Sequence, residues 1–163
     1  MNQQMNGDFA VNNLHEVDAW LAALLSKLEP AQRKKMLREV AQEVRRIQQA
    51  NITAQRAPDG TAWEPRRMTA RRKKGRVKRK MFTKLKTAKY LKTTSGENEA
   101  EIGFNGRTQQ IARVHHYGLR EQRGRLRTEV KYKMRPLLGI NSEVEYTIES
   151  ILLRWLENNK AKN

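Results

Sequence analysis

The stretch Tyr90-Leu91-Lys92-Thr93-Thr94-Ser95-Gly96-Glu97-Asn98-Glu99-Ala100-Glu101-Ile102-Gly103-Phe104 decides the fold class. Tyr90 to Thr94 holds β-favouring residues. Ser95 to Asn98 reads as a turn, and from Glu99 the residues Ala100, Ile102 and Phe104 alternate with Glu99, Glu101 and Gly103. That period of two belongs to a half-buried strand, so a β-hairpin is expected here. Upstream and downstream the apolar period is instead that of a helix, and a chain that changes period in this way is α+β.

Upstream, Leu14, Val17, Trp20, Leu21, Leu24, Leu25 and Leu28 recur at three- and four-residue steps. They predict one helix. Glu29 and Pro30 interrupt it, and a proline at the first helical position restarts a second helix to about Thr53. Its stripe is Met36, Leu37, Val40, Ala41, Val44 and Ile47. The opposite face carries Arg33, Lys34, Lys35, Arg38, Arg45 and Arg46 beside Glu39 and Glu43, spaced for local i, i+4 pairs.

Downstream, Met81, Phe82, Leu85 and Ala88 predict a short amphipathic helix. Gly106 is expected to end the hairpin, and Ile111, Ala112, Val114 and His115 form a short helix closing at Gly118. Leu119 to Arg127 reads as a polar loop, and Val130, Tyr132 and Met134 as a third strand ending before Pro136. Asn141 or Ser142 caps a last helix, with Ser142 and Glu145 at capping-box spacing and a stripe of Val144, Ile148, Ile151, Leu152, Trp155 and Leu156.

The organisation expected is one domain. A flexible tail covers 1–13, a helical hairpin 14–55, a turn plus extended basic arm 56–80, and an α+β core 81–158 with about three antiparallel strands and the C-terminal helix.

Charge is concentrated in the arm. The 163 residues carry 34 Lys and Arg against 17 Asp and Glu, a formal charge of +17, and Arg66 to Lys92 holds 14 of those cations with no acid between Glu64 and Glu97. The rest of the chain is nearly balanced. Arg66 and Arg67 open the arm, and Arg71, Arg72, Lys73, Lys74, Arg76, Lys78, Arg79 and Lys80 crowd around Gly75. Such density repels itself unless solvent or an anionic partner screens it, so it is a solvated loop or a contact for a phosphate backbone or an acidic protein surface. Pro58, Asp59 and Gly60 make a turn just before it, and Trp63 beside Pro65 is a large anchor at its start.

Other chemistries fit poorly. There is no cysteine, which removes disulfides, thiolate nucleophiles and Cys-based zinc sites. No serine stands in a Gly-x-Ser-x-Gly elbow and no Gly-x-x-x-x-Gly-Lys loop occurs, so neither acyl-transfer nor nucleotide chemistry has its motif. His115 and His116 are adjacent, whereas a helical metal face needs i, i+4 spacing. Gly103 to Gly106 spaces two glycines like a nucleic-acid clamp but at a strand end, and Glu97, Glu99 and Glu101 read as a solvated strand face.

Pro58-Asp59 and Glu129-Val130-Lys131 have the form of a metal-dependent nuclease signature, yet Asp59 sits in a turn 70 residues from Glu129. No catalytic residue, metal or cofactor is assigned. Mean hydropathy is −0.89, and the longest apolar run, Ala19 to Leu25, falls far short of the roughly 20 residues that span a bilayer. No membrane partner is expected. Asp8, Glu16 and Asp18 precede the first cation, Lys27, so no secretory leader is expected and synthesis is cytoplasmic.

Several segments then stand in one order: Pro58-Asp59-Gly60-Thr61-Ala62-Trp63, the basic linker, Met81-Phe82-Thr83-Lys84-Leu85, Ile111 to Gly118, and Arg135-Pro136-Leu137-Leu138-Gly139. Over about Leu14 to Leu156 this resembles the virion morphogenesis, or tail completion, family of tailed bacteriophages, and more loosely head-tail joining and tail terminator proteins. The resemblance implies a structural, non-enzymatic subunit of a homo-oligomeric ring, expected to be a hexamer. Such a ring docks connector and tail proteins at the virion neck, is assembled in the bacterial cytoplasm, and can face packaged DNA in its lumen. It assigns structural roles to Trp63, Tyr117, Gly118, Arg135, Pro136 and Trp155. The length and basicity of 66–80 depart from the family pattern. The alternative from another class is a free nucleic-acid-binding protein whose arm follows phosphates without reading bases.

Overall fold

A computed structural model describes residues 19, 22–23, 25–66, 80–125 and 127–160 of the chain. The tail expected over 1–13, the early stripe residues Leu14, Val17, Trp20, Leu21 and Leu24, and arm residues 67–79 lie outside the described residues.

Helix α1 spans Pro30–Ala54. Pro30 stands where a missing amide costs nothing, and the Glu29 amide donates to Gln32 Oε1 at 3.0 Å. Met36, Val40, Ala41 and Val44 are buried on one stripe, which Gln48, Asn51 and Ile52 continue. The helix stops because Gln55 turns left-handed (φ 59°) and gives its amide back to Asn51 and Ile52.

Strands β1 (Leu91–Ser95) and β2 (Ala100–Phe104) form an antiparallel hairpin with Leu91 opposite Phe104 and Ser95 opposite Ala100. The hairpin packs on α1, burying Leu91 completely. Helix α2 spans Gly106–Tyr117, so Gly106 opens this helix as well as closing the strand, and the helix is a turn longer than its apolar residues imply. Gly118 ends it at φ 64°. A Cβ there would lie 2.9 Å from the Met134 amide nitrogen, so conformation and space both require glycine.

The polar segment expected to be a loop contains a strand. β3 (Arg120–Arg123) pairs antiparallel with β4 (Thr128–Lys131), making a second hairpin. Among the described residues the sheet content is therefore two two-stranded sheets, not a single sheet of about three strands. β4 takes in Val130 and Lys131 of the expected third strand but starts at Thr128 and ends at Lys131, short of Pro136; all four of its residues are exposed, so burial does not set its bounds. A second correction concerns 81–88, where a chain of turns replaces the expected helix: Phe82 is left-handed (φ 59°), which no continuous helix allows.

The last helix, α3, spans Ser142–Lys160. Its cap is Asn141, whose Oδ1 accepts the Val144 amide at 2.9 Å, and Ser142 lies inside the helix. α3 runs antiparallel to α1: Gln32 bonds Asn159, Glu39 bonds the Trp155 indole N–H at 2.8 Å, and Gln48 bonds the Gly139 carbonyl. Glu39 therefore pairs across the helices, with Trp155 and Arg154, and not along its own face.

Two apolar clusters result. Leu28, Met36, Val40, Val44, Val144, Ile151 and Leu156 fill the α1–α3 seam. Ile52, Ala57, Trp63, Met81, Leu85, Ala112 and Leu137 fill the other end of the fold.

Candidate functional site

The second cluster builds the root of the basic arm. After Gln55 the chain makes a tight return in which Arg56 bridges to Ala62 and the Ala57 amide bonds the Thr61 carbonyl at 2.8 Å. Gly60 takes φ 88° at the tip, and Asp59 Oδ1 accepts the Thr61 amide at 2.8 Å. That bond holds the Asp59 carboxyl below its ordinary range. Asn141 Nδ2 donates to the Pro58 carbonyl at 2.7 Å, tying this turn to the start of α3. Gly139 lies so close that a Cβ would meet Pro58 Cγ at 2.9 Å.

From here the chain leaves into the arm and returns from it, and one residue holds both the outgoing and the returning segment. The Gln55 carbonyl accepts the Trp63 amide at 2.9 Å on the outgoing side. On the returning side its side-chain amide grips Met81 twice, Oε1 accepting the Met81 N–H at 2.6 Å and Nε2 donating to the Met81 carbonyl at 2.9 Å. Trp63, 7% exposed, donates its indole N–H to the Pro136 carbonyl at 3.1 Å and meets the Phe82 ring edge-on at 5.4 Å. Phe82 in turn meets His115 at 4.9 Å, and His115 meets Tyr132 at 4.7 Å. These edge-to-face pairs add to simple burial.

Arg135 completes the root. It is only 5% exposed, and its guanidinium donates from Nε and Nη2 to the Glu64 carbonyl at 3.0 and 2.9 Å, and from Nη2 to the Pro65 carbonyl at 3.4 Å. A buried guanidinium is tolerable only when its donors are satisfied, and here backbone carbonyls of the departing chain do so. The segments on either side of the arm, at Trp63 to Pro65 and at Met81, are thus tied to one base.

The structure brings Trp63, Arg135 and Pro136 together in this base. Arg66 and Lys80, at the two feet of the loop, are both exposed. Arg67, Arg71, Arg72, Lys73, Lys74, Arg76, Lys78 and Arg79 lie outside the described residues. Tyr117 is 62% exposed and tilted against His116, so the turn there rests on Gly118 and not on the ring. Trp155 belongs to the α1–α3 seam. Gln55, Phe82 and Tyr132 were not singled out from the sequence as anchors, and only their contacts reveal them.

His116 contributes differently. Its Nδ1 accepts the Leu137 amide at 3.2 Å, which requires that nitrogen unprotonated, and burial lowers its pKa. The unfolded chain then binds the proton more readily than the folded one, so stability is full above about 6.5 and declines as pH falls below it. Melting temperature is expected to drop between pH 7.5 and 5.5 more steeply in the wild type than in His116→Asn; parallel curves would refute it.

Among the described residues no group of three His, Cys, Asp or Glu is placed to hold a metal, and no helix is long and apolar enough to cross a membrane. Both halves of the nuclease-like signature have local partners: Asp59 holds Thr61, and Glu129 Oε2 accepts from Arg120 at 3.1 Å.

Residues 12–157 match the family described as phage virion morphogenesis. The chain is 39% identical over 149 residues to tail completion protein S of Escherichia phage P2, an alignment covering 90% of this chain and 99% of that one. No solved structure matches it significantly.

Proposed function

The chain belongs to the phage virion morphogenesis family, and we propose from that premise that it is a virion component which completes the tail and joins it to the head. The observation that carries this reading is the near full-length identity to a protein named for tail completion. Within it the chain acts as a structural subunit of a homo-oligomeric ring, a hexamer, at the virion neck, docking connector and tail proteins; no step of that work needs a catalytic group.

The root geometry supports a specific use of the arm. Loop closure by Gln55, Trp63 and Arg135 offers a cationic loop from a fixed base, so that less ordering remains to be done when it meets an anion. Packaged DNA in the lumen and acidic surfaces of neck proteins are the two partners of that chemistry. Trp63, Arg135, Pro136 and Gly118 fix the base, and Trp155 fixes the helical seam.

Particles assembled without this protein should fail to yield infectious virions, and purified protein should restore joining of filled heads to tails, seen by electron microscopy. No restoration with folded protein would overturn the reading. A salt-sensitive complex of monomer and DNA, with no effect on joining, would favour the free nucleic-acid-binding alternative. Digestion of DNA with magnesium tests the nuclease reading directly.

Changing Arg71, Arg72, Lys73 and Lys74 to Gln should leave the melting temperature nearly unchanged, because exposed charges contribute little to stability. It should weaken assembly or DNA retention in a salt-dependent way. If DNA is the partner, the log-log salt slope falls by about 0.9 for each phosphate that is no longer neutralised. If protein is, the defect persists in DNA-free joining. Wild-type behaviour at every salt concentration would mean that the arm is only a solvated loop.

A further inference from the structure

The outer face of α3 is unlike the rest of this basic chain. With Val144, Ile151 and Leu156 turned into the seam, the helical period places Glu143, Tyr146, Glu149, Leu153 and Glu157 on the opposite side. All five are exposed, Tyr146 by 72% and Leu153 by 42%. They form an acidic stripe with two apolar side chains seven residues apart, two turns of the helix.

The outer face of α1 carries the opposite charge. Met36, Val40 and Val44 point inward, which leaves Lys34, Lys35, Arg38 and Arg46 exposed on the far side, Arg46 with Glu43 beside it at 2.9 Å. At 1.5 Å per residue the basic stripe, Lys34 to Arg46, is about 18 Å long and the acidic one, Glu143 to Glu157, about 21 Å.

We propose that the α3 stripe of one copy docks on the α1 stripe of a second copy, Tyr146 and Leu153 packing among the lysine and arginine stems. The contact is between copies for a geometric reason. α1 and α3 meet through their inner faces, so the outer faces of a single chain look away from each other and cannot touch. Two complementary faces on opposite sides of one subunit make a head-to-tail contact, the kind that repeats from copy to copy and closes into a ring. Charge complementarity sets the pairing and its register, while the aliphatic stems and the Tyr146 ring supply apolar and cation–π contact.

This inference rests on the ring reading above and adds which faces meet. Its test is sedimentation velocity of the full-length chain across protein and salt concentration, with circular dichroism melts as a check of folding. Wild type is expected to form an oligomer that high salt weakens. The pair Glu149→Arg and Glu157→Arg is expected to weaken association about tenfold or more, as is the pair Lys35→Glu and Arg38→Glu. Mixing the two variants should restore assembly with the two alternating, because a reversed α3 stripe then meets a reversed α1 stripe and a native α3 stripe meets a native α1 stripe. The uncharged pair Tyr146→Ser and Leu153→Ser should weaken association without changing its salt dependence.

An oligomer unaffected by either charge reversal would overturn the inference while leaving the ring standing. Monomeric glutamate variants that the lysine and arginine variant cannot rescue would also overturn it, since another cationic segment would then be the occupant. A wild type that stays monomeric at every concentration, alone and with assembled tails, would sink the ring and the interface together.

Discussion

A chain ended just before Glu143 is expected not to fold. The truncation removes Val144, Ile151 and Leu156 from the first cluster, with Ile148, Leu152 and Trp155 packed against them, and uncovers Met36, Val40 and Val44 on α1. Burial of a large apolar side chain contributes about 1.5–3 kcal/mol, so losing six forfeits on the order of 10 kcal/mol. That is comparable with the whole stability of a domain, about 5–15 kcal/mol. The cross-links from Glu39 to Trp155 and from Gln32 to Asn159 vanish as well. The truncated chain should be insoluble or melt without a cooperative transition. Soluble protein with a cooperative melt and normal assembly would refute the assignment of α3 as half of this core.

What could be read from the sequence follows how each element is stabilised. α1 and α3 bury a continuous apolar stripe, and a stripe writes itself into the spacing of Met36, Val40 and Val44 or of Val144, Ile151 and Leu156. The β1–β2 hairpin was legible because its turn residues and the Ile102–Phe104 alternation agree. β3 left no such mark: Arg120, Glu121, Gln122 and Arg123 pair through backbone bonds, which are indifferent to side-chain type, and its partner β4 was legible only in part, from the alternation that begins at Val130. The same holds at 81–88. Met81 and Leu85 do become buried, as their spacing suggests, but Gln55 captures the Met81 backbone and Phe82 swings left-handed between Trp63 and His115. A contact 26 residues away in the chain outweighs the local preference.

The candidate site was legible only in part for the same reason. The density of cations in the arm and the bulk of Trp63 are properties of composition, visible at once. Closure of the arm's base is a property of contacts among residues 55, 64, 81 and 135, and a glutamine at the end of a helix announces nothing about its partner. Glycine is the usual left-handed residue there. Gln55 accepts the strained conformation because its side chain then reaches Met81, and the two hydrogen bonds it makes offset a cost of about 1–2 kcal/mol.

Trp63→Ala is expected to lower stability by about 3–5 kcal/mol, the usual cost of truncating a buried aromatic to alanine. Three contributions converge on that value. The indole is 7% exposed, so its removal leaves a cavity among Ile52, Met81 and Leu137. Phe82 loses one of its two edge-to-face partners and keeps His115, and the ring series that reaches Tyr132 is cut at one end. The Pro136 carbonyl is left without its donor. For a chain of this size each kcal/mol shifts the melting temperature by about 2–4 °C, so a fall on the order of 10 °C is expected. Trp63→Phe separates the contributions, since it keeps an aromatic ring and most of the volume while removing the N–H, at a cost of about 1–3 kcal/mol. Hydrogen exchange locates the damage: in Trp63→Ala the Met81 amide, held by Gln55, should lose protection, while the amide of Val40, in the α1–α3 seam away from the arm's root, should change only as much as global stability does. An unchanged melting temperature would mean that Trp63 does not anchor the arm. A lower one with the Met81 amide no more labile than that of Val40 would mean that the ring supports the core but not the base of the loop.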